Sequence, residues 1–252
     1  MGKHNIWMSV SDLMTGLMVI FLFIAIAYMK QVNSAMDELN KALEKLKKSQ
    51  TVLTEYVENR NKLHDKLNSE FKNAPKEWQL VIGKDLSMKF ENPEVLFASS
   101  SSNLTPQFKS ILDEFIPKYI DILINDTLRY SIKEIRIEGH TDNDPFANGG
   151  DPFLDNAKLS QARALEVLKY IRKMPTYQNY SDEQKKQLEY WFTANGVSYG
   201  KALDKEGNYT FVSGQQIDKD RSRRVEFRII TIGDDLLENF VEQNKTTDYV
   251  QR

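Results

Sequence analysis

Hydrophobic positions fall into three regimes along the chain. From Ile6 to Met29 they are nearly continuous, and Asp12 is the one charged residue among them. From Val32 to Phe71 they recur at alternating spacings of four and three, and beyond Pro75 they form short blocks set apart by glycine, proline and asparagine. The first regime predicts one membrane-spanning helix, since about 20 apolar residues cross a hydrocarbon core. In the second, the repeating positions are Val32, Met36, Leu39, Leu43, Leu46, Gln50, Leu53, Val57, Arg60, His64, Leu67 and Phe71, nine of the twelve apolar. A period of 3.5 kept this long predicts a parallel coiled coil, hence a homodimer. Gln50, Arg60 and His64 interrupt the seam and are places where register or oligomer state can be fixed. The alternative is a single amphipathic helix lying on its own domain. The same register runs back through Met29, Ala25, Leu22 and Met18, so two helices would enter the bilayer together and bring two copies of Asp12 to one level.

Pro75 ends the helical pattern, because proline disfavours helix at the residue before it. Strands are expected at Trp78–Ile82 and Ser87–Phe90, a Ser/Asn-rich turn at Ser99–Asn103, and a helix from Thr105-Pro106 whose apolar face is Phe108, Ile111, Leu112, Phe115, Ile116, Tyr119 and Leu123. Ile132, Ile135 and Ile137 predict a strand, a polar loop runs to Asp155-Asn156, and a helix follows over Ala157–Met174. Ser181 to Gln184 then carry a capping-box pattern that opens a shorter helix, and Arg224–Ile232 is the last strand. The fold class is therefore α/β, a sandwich with one mixed sheet. The expected division is a tail over 1–5, a transmembrane helix over 6–29, a coiled-coil linker over 30–74, the α/β domain over 75–233 and a charged tail over 234–252.

Composition narrows the chemistry. A net charge of −2 over 252 residues gives no support for nucleic-acid binding. The absence of cysteine excludes a disulfide scaffold and a thiolate metal site, and His4, His64 and His140 are too scattered for a zinc motif. Neither a Gly-x-Ser-x-Gly elbow nor a paired-carboxylate motif is present, so a binding protein is expected rather than an enzyme. The apolar run exceeds a normal signal-peptide core and lacks a small-x-small cleavage site before Lys30, which predicts a retained anchor. Counting Lys30, Lys41, Lys45, Lys47 and Lys48 favours a cytoplasmic C-terminus, although long domains cross largely regardless of charge.

Two groups of residues stand out. An ionisable side chain inside a span costs about 2.5–3.5 kcal/mol on insertion scales, so Asp12 points to an ion path or a polar partner; the alternative is a cap at the headgroup boundary beside Ser9 and Ser11. Thr15, one turn on, is placed to relay or coordinate an ion, or else is an ordinary packing residue. The other group lies in Ile137-Glu138-Gly139-His140-Thr141-Asp142, Asn156-Ala157-Lys158-Leu159-Ser160-Gln161-Ala162-Arg163-Ala164 and Arg221-Ser222-Arg223-Arg224-Val225-Glu226-Phe227. Asp142 ends a strand and Arg163 lies two turns into the next helix, so both can face one cleft, either as a ligand grip or as an internal salt bridge. The loop Asp142–Asp155 also holds Asp144 and Asp151. A calcium site there is one reading; a solvated acidic loop without EF-hand spacing is the preferred one. Gly139 is expected to allow close backbone approach, and His140 to act as a hydrogen-bonding core residue rather than a catalyst.

The three motifs, in this order, resemble the signatures of OmpA-type peptidoglycan-binding domains over roughly Trp78 to Ile232. That resemblance implies that Asp142 and Arg163 grip the amine and carboxylate of diaminopimelate in the cell-wall stem peptide, with Thr141, Asn156, Leu159 and Arg224 shaping the pocket. The chemistry agrees, since a zwitterionic head wants a carboxylate for its ammonium and a guanidinium fork for its carboxylate. Trp7-Met8-Ser9-Val10-Ser11-Asp12-Leu13-Met14-Thr15-Gly16-Leu17-Met18 resembles the span of MotB-type stator subunits. Within that superfamily, the run with its long heptad spacer is most similar to the ZorB subunits of the Zorya anti-phage defence system, with flagellar MotB as the alternative.

The resemblance implies an inner-membrane protein with its N-terminus in the cytoplasm and its C-terminal domain in the periplasm at the wall. It also implies a homodimer inside a ring of a MotA/ZorA-like membrane subunit, five copies to two, and ion-driven rotation with Asp12 carrying a proton, or alternatively sodium. No cofactor is implied. The rival readings are a passive peptidoglycan tether and a TolR/ExbD-like energy transducer; the OmpA-like motifs count against the latter.

Overall fold

The computed structural model describes residues 3–98, 101–125, 127–146 and 150–234. Ser99 and Ser100 of the expected turn, positions 147–149 of the acidic loop and the charged tail past 234 lie outside the described residues. The chain divides into two compact units, Met1–Glu55 and Tyr56–Arg252.

In chain order the elements are α1 (Lys3–Phe71), β1 (Leu80–Ile82), β2 (Ser87–Phe90), α2 (Pro93–Leu96), α3 (Pro106–Asn125), β3 (Ile132–Gly139), α4 (Pro152–Lys173), α5 (Pro175–Gln178), α6 (Asp182–Trp191), β4 (Phe192–Gly196), α7 (Thr210–Ser213), α8 (Lys219–Ser222) and β5 (Val225–Thr231). In the first unit, α1 carries an 18-residue window of mean hydropathy 2.3, apolar enough to cross a membrane. Farther along, Val32, Met36, Leu39, Leu43, Leu46 and Leu53 are exposed.

The second unit is built on a five-stranded sheet in the order β1-β2-β5-β3-β4. Its pairs are antiparallel except β3 with β4, which are parallel and joined through α4, α5 and α6. This is the mixed sheet expected of the α/β sandwich. Alternation along β5 sends Val225, Phe227 and Ile229 into the core, where Phe227 lies 5.2 Å from Phe115 of α3 and 6.1 Å from Phe90 of β2 between ring centroids.

The end of α1 belongs to this same core. Leu63, Leu67 and Phe71 are buried, and the Phe71 ring sits 5.0 Å from Phe115. Leu67 and Phe71 were expected as the last positions of a coiled-coil seam. They instead fill the domain's interior, because the apolar face of the sandwich competes for them within the chain. Tyr56, Arg60 and Asp234 tie the same segment to the far end of β5. The Tyr56 hydroxyl donates to Asp234 Oδ1, Arg60 Nη1 donates to the Tyr56 hydroxyl at 3.0 Å, and Asp234 Oδ2 accepts from Thr231 N at 2.6 Å and Thr231 Oγ1 at 2.8 Å. A side chain at Gly233 would collide with the Tyr56 ring, 1.9 Å from where its Cβ would lie.

α4 begins five residues before the expected Ala157. Asp151 caps it by accepting from Phe153 N at 2.8 Å and Leu154 N at 3.3 Å, and Pro152 occupies the first turn, where its missing donor costs nothing. The capping box at Ser181 and Gln184 opens α6 as expected. Gly139 behaves as expected too: a Cβ there would lie 2.2 Å from Ser160 O, so β3 and α4 meet backbone to backbone.

Candidate functional site

All six residues expected at a ligand pocket line one cleft of about 980 Å³ between the ends of β3 and β5, the first turns of α4, and α2. Thr141 and Asp142 follow β3, Asn156, Leu159 and Arg163 come from α4, and Arg224 immediately precedes β5. The same cleft is bordered by Glu94, Phe97, Asp144, Phe146 and Arg223.

Each expected residue has a distinct job in the walls. Asn156 Nδ2 donates to Asp144 O at 3.1 Å and Pro152 O at 3.0 Å, so it joins the loop after β3 to the first turn of α4. Asp142 Oδ1 accepts from Asp144 N at 3.1 Å, which fixes the carboxylate, and its Oδ2 lies 3.4 Å from Arg223 Nη1. Among the described residues no ion pair joins Asp142 to Arg163; the internal bridge considered from the sequence is made with Arg223 instead. Thr141 Oγ1 is buried with no hydrogen-bond partner among the described residues, a polar atom that a ligand in the cleft would satisfy. Leu159 is half-buried and supplies apolar wall.

Arg163 is only 8% exposed. Its Nε donates to Ser101 O at 3.0 Å and its guanidinium carbon lies 4.8 Å from the Phe97 ring centroid. Burial pushes its pKa down to about 10, opposed by Asp142 and reinforced by Arg223, so it remains a cation at neutral pH. Arg224 differs. It is 1% exposed, and its guanidinium donates to Glu226 Oε1 at 2.7 Å, Ser222 O at 3.3 Å and Lys201 O at 3.1 Å. It is wall rather than grip. The cation that sequence reasoning passed over is Arg223, in the same motif and on the open side of the cleft.

The floor behind Arg224 is a charged cluster on the face of the sheet opposite Phe227. Glu138 faces Glu226 directly across β3 and β5, and Arg136 faces Arg228; like charges so placed repel. Ion pairs along β5 and across to its neighbours compensate: Arg228 Nη2 lies 2.7 Å from Glu226 Oε2 and its Nε 3.6 Å from Glu138 Oε2, while Asp85 lies 2.5 Å from Arg228 Nη1. His140 Nε2 sits 3.4 Å from Glu138 and 3.7 Å from Glu226. Glu138, His140 and Glu226 present ligand atoms close enough to hold a metal, but two guanidinium groups already neutralise those carboxylates, and the chemistry of the set is that of an ion-pair cluster. Burial, with Arg224 adding to it, lowers the His140 pKa to about 4. The group is therefore neutral in the folded domain over a range where the unfolded chain would protonate it. The share of stability tied to this group is present above about pH 6.5, the ordinary histidine value, and is expected to be lost as pH drops from there toward 4. Urea unfolding of residues 56–252 at a series of pH values checks this, and His140→Gln should flatten the slope in that window.

The acidic loop does not converge on one point. Asp144 pairs with Lys219 at 2.6 Å, Asp151 caps α4, Asp155 lies 3.5 Å from Lys158, and Asp142 faces Arg223. In the first unit, Asp12 and Thr15 lie on α1, and Thr15 Oγ1 donates to Ser11 O at 2.8 Å, four residues back.

Comparison with known proteins places these features. Residues 96–185 match the OmpA family. The chain is 35% identical over 232 residues to Zorya protein ZorB of Escherichia coli strain Crooks, covering 89% of this chain and 87% of that one. It is 26% identical over 235 residues to Zorya protein ZorB of Escherichia coli O139:H28, covering 92% and 82%. A crystal structure of the periplasmic domain of Helicobacter pylori MotB, residues 78–256, aligns with a TM-score of 0.37 at 15% identity, covering 64% of this chain and 85% of that one.

Proposed function

This chain belongs to the ZorB family, and from that premise we propose that it is a single-pass inner-membrane stator subunit that grips peptidoglycan and carries the ion-translocating carboxylate of a rotary motor in anti-phage defence. The observation that carries the wall-binding half is the cleft. Residues from three separate motifs converge there, and they set an anchored carboxylate, Asp142, in the same cleft as a buried guanidinium, Arg163. Such a pair suits the ammonium and carboxylate of a diaminopimelate head. The unpartnered Thr141 hydroxyl offers a third contact.

The motor half rests on Asp12 within the apolar part of α1 and on the family. Two copies would pair through the exposed Val32-to-Leu53 stripe, N-termini in the cytoplasm, inside a five-membered ring of a MotA/ZorA-like subunit. Asp12 of each copy would take up and release a proton or sodium ion in turn, while the domain holds the pair still against the wall. The second reading, a passive tether, shares the cleft and lacks the ion step.

A sacculus pull-down tests the wall-binding half. The wild-type chain should sediment with purified peptidoglycan, and Asp142→Ala and Arg163→Ala should each weaken muropeptide binding by about 2–4 kcal/mol, on the order of 100-fold. Unchanged sedimentation of both variants would show that the cleft is not where peptidoglycan binds.

A further inference from the structure

Arg163 is set from two directions by one short segment between α2 and α3. Phe97 pairs with Leu104 as an isolated antiparallel bridge. Inside that bridge Ala98 N donates to Asn103 O at 3.3 Å, Ser101 N to Ala98 O at 3.1 Å, and Asn103 N to Ser101 Oγ at 3.0 Å. These bonds hold Ser101 O against Arg163 Nε, and the Phe97 ring lies beside the guanidinium, 4.8 Å from centroid to carbon. Phe97 is itself fixed, since it is buried and meets Phe108 of α3 edge-on, with centroids 6.0 Å apart at 69°.

An arginine side chain has many rotamers, and holding one of them before a ligand arrives removes that ordering from the cost of binding. A ring face attracts a guanidinium through its quadrupole, more strongly where water is excluded. With Nε engaged by a carbonyl, the two Nη groups are the part of the fork left for a carboxylate. We propose that Phe97, acting with the Ser101 carbonyl, is a positioning residue that pre-orients Arg163 for the ligand's carboxylate, and that the ring face rather than the ring's bulk does this. The inference rests on the reading of the cleft as a peptidoglycan site.

The test uses the full chain in detergent and a disaccharide tripeptide containing meso-diaminopimelate, with affinity read by calorimetry. Phe97→Leu keeps apolar bulk and loses the ring; it should bind about 3- to 10-fold more weakly. Phe97→Tyr restores a ring and should bind within about twofold of wild type on the same reasoning. In an Arg163→Lys background, which lacks the planar fork, Phe97→Leu should cause no further loss. Wild-type affinity in Phe97→Leu, or the same loss in both backgrounds, overturns the proposal. A ligand-free readout separates it from the reading beneath it. In spectra of arginine-labelled protein, the Arg163 Nε–H signal should carry a ring-current shift in wild type and Phe97→Tyr that vanishes in Phe97→Leu. If Arg163→Ala binds the muropeptide as wild type does, the peptidoglycan reading falls, and the Nε–H signal still decides whether Phe97 orients the guanidinium.

Discussion

Asp12→Asn is expected to reduce anti-phage protection to that of cells lacking the gene, while leaving expression, membrane insertion and sedimentation with peptidoglycan unchanged. The substitution keeps size and polarity almost constant and removes the one carboxylate in the apolar run from Ile6 to Met29. A motor that loads and unloads an ion at this position has no substitute for it, because the switch in charge is the step itself. Efficiency of plating on cells carrying wild-type or variant chain, alongside its membrane partner, reads the result. Full protection by the variant would leave the passive tether as the surviving reading. Thr15 should matter less, since its hydroxyl proton is already donated to Ser11 O within the helix.

The largest stability effect is expected at Arg224. Arg224→Met takes from the buried Glu226 carboxylate one of its two guanidinium partners at 2.7 Å, leaving Arg228 on Oε2, and should cost about 2–3 kcal/mol in urea unfolding of residues 56–252. Replacing both partners, Arg224→Met with Glu226→Leu, should recover a large part of that loss, since an apolar pair of similar volume carries no desolvated charge. Arg228 then retains Glu138 and Asp85. If the single variant unfolds at the wild-type urea concentration, the cluster contributes nothing to holding β5 in the sheet. If the double variant is no better than the single one, the loss comes from packing around Arg224, not from the partner that the Glu226 carboxylate has lost.

The elements with strong local signals were legible in the sequence. β2 lies where alternation put it, α6 opens at its capping box, and α3 buries the face that its 3.6-residue period marked out. β4 went unread because Phe192-Thr193-Ala194-Asn195-Gly196 has little apolar alternation and only Phe192 fully buried; its place is fixed by parallel pairing with β3, a long-range fact. The early start of α4 was hidden because Asp151 and Pro152 read equally well as loop residues until a helix exists for them to cap. Leu67 and Phe71 fit a heptad and a domain face alike, and only tertiary packing separates the two.

For the cleft, the motifs gave all six residues but not their division of labour. Arg223 and Arg224 are adjacent, so their side chains part company at the start of a strand. One enters the ion-pair cluster and the other faces the opening, which cannot be decided from identical neighbours. Phe97 carried no signal as a site residue, because a lone aromatic before a turn reads as core.

The clasp of Tyr56, Arg60 and Asp234 joins α1 to the end of β5, the middle strand of five. A twisting load applied at Tyr56 and Arg60 would therefore enter the sheet at a strand bonded on both flanks. It is resisted by two ladders of hydrogen bonds at once, whereas at an edge strand the same load would peel them apart one after another.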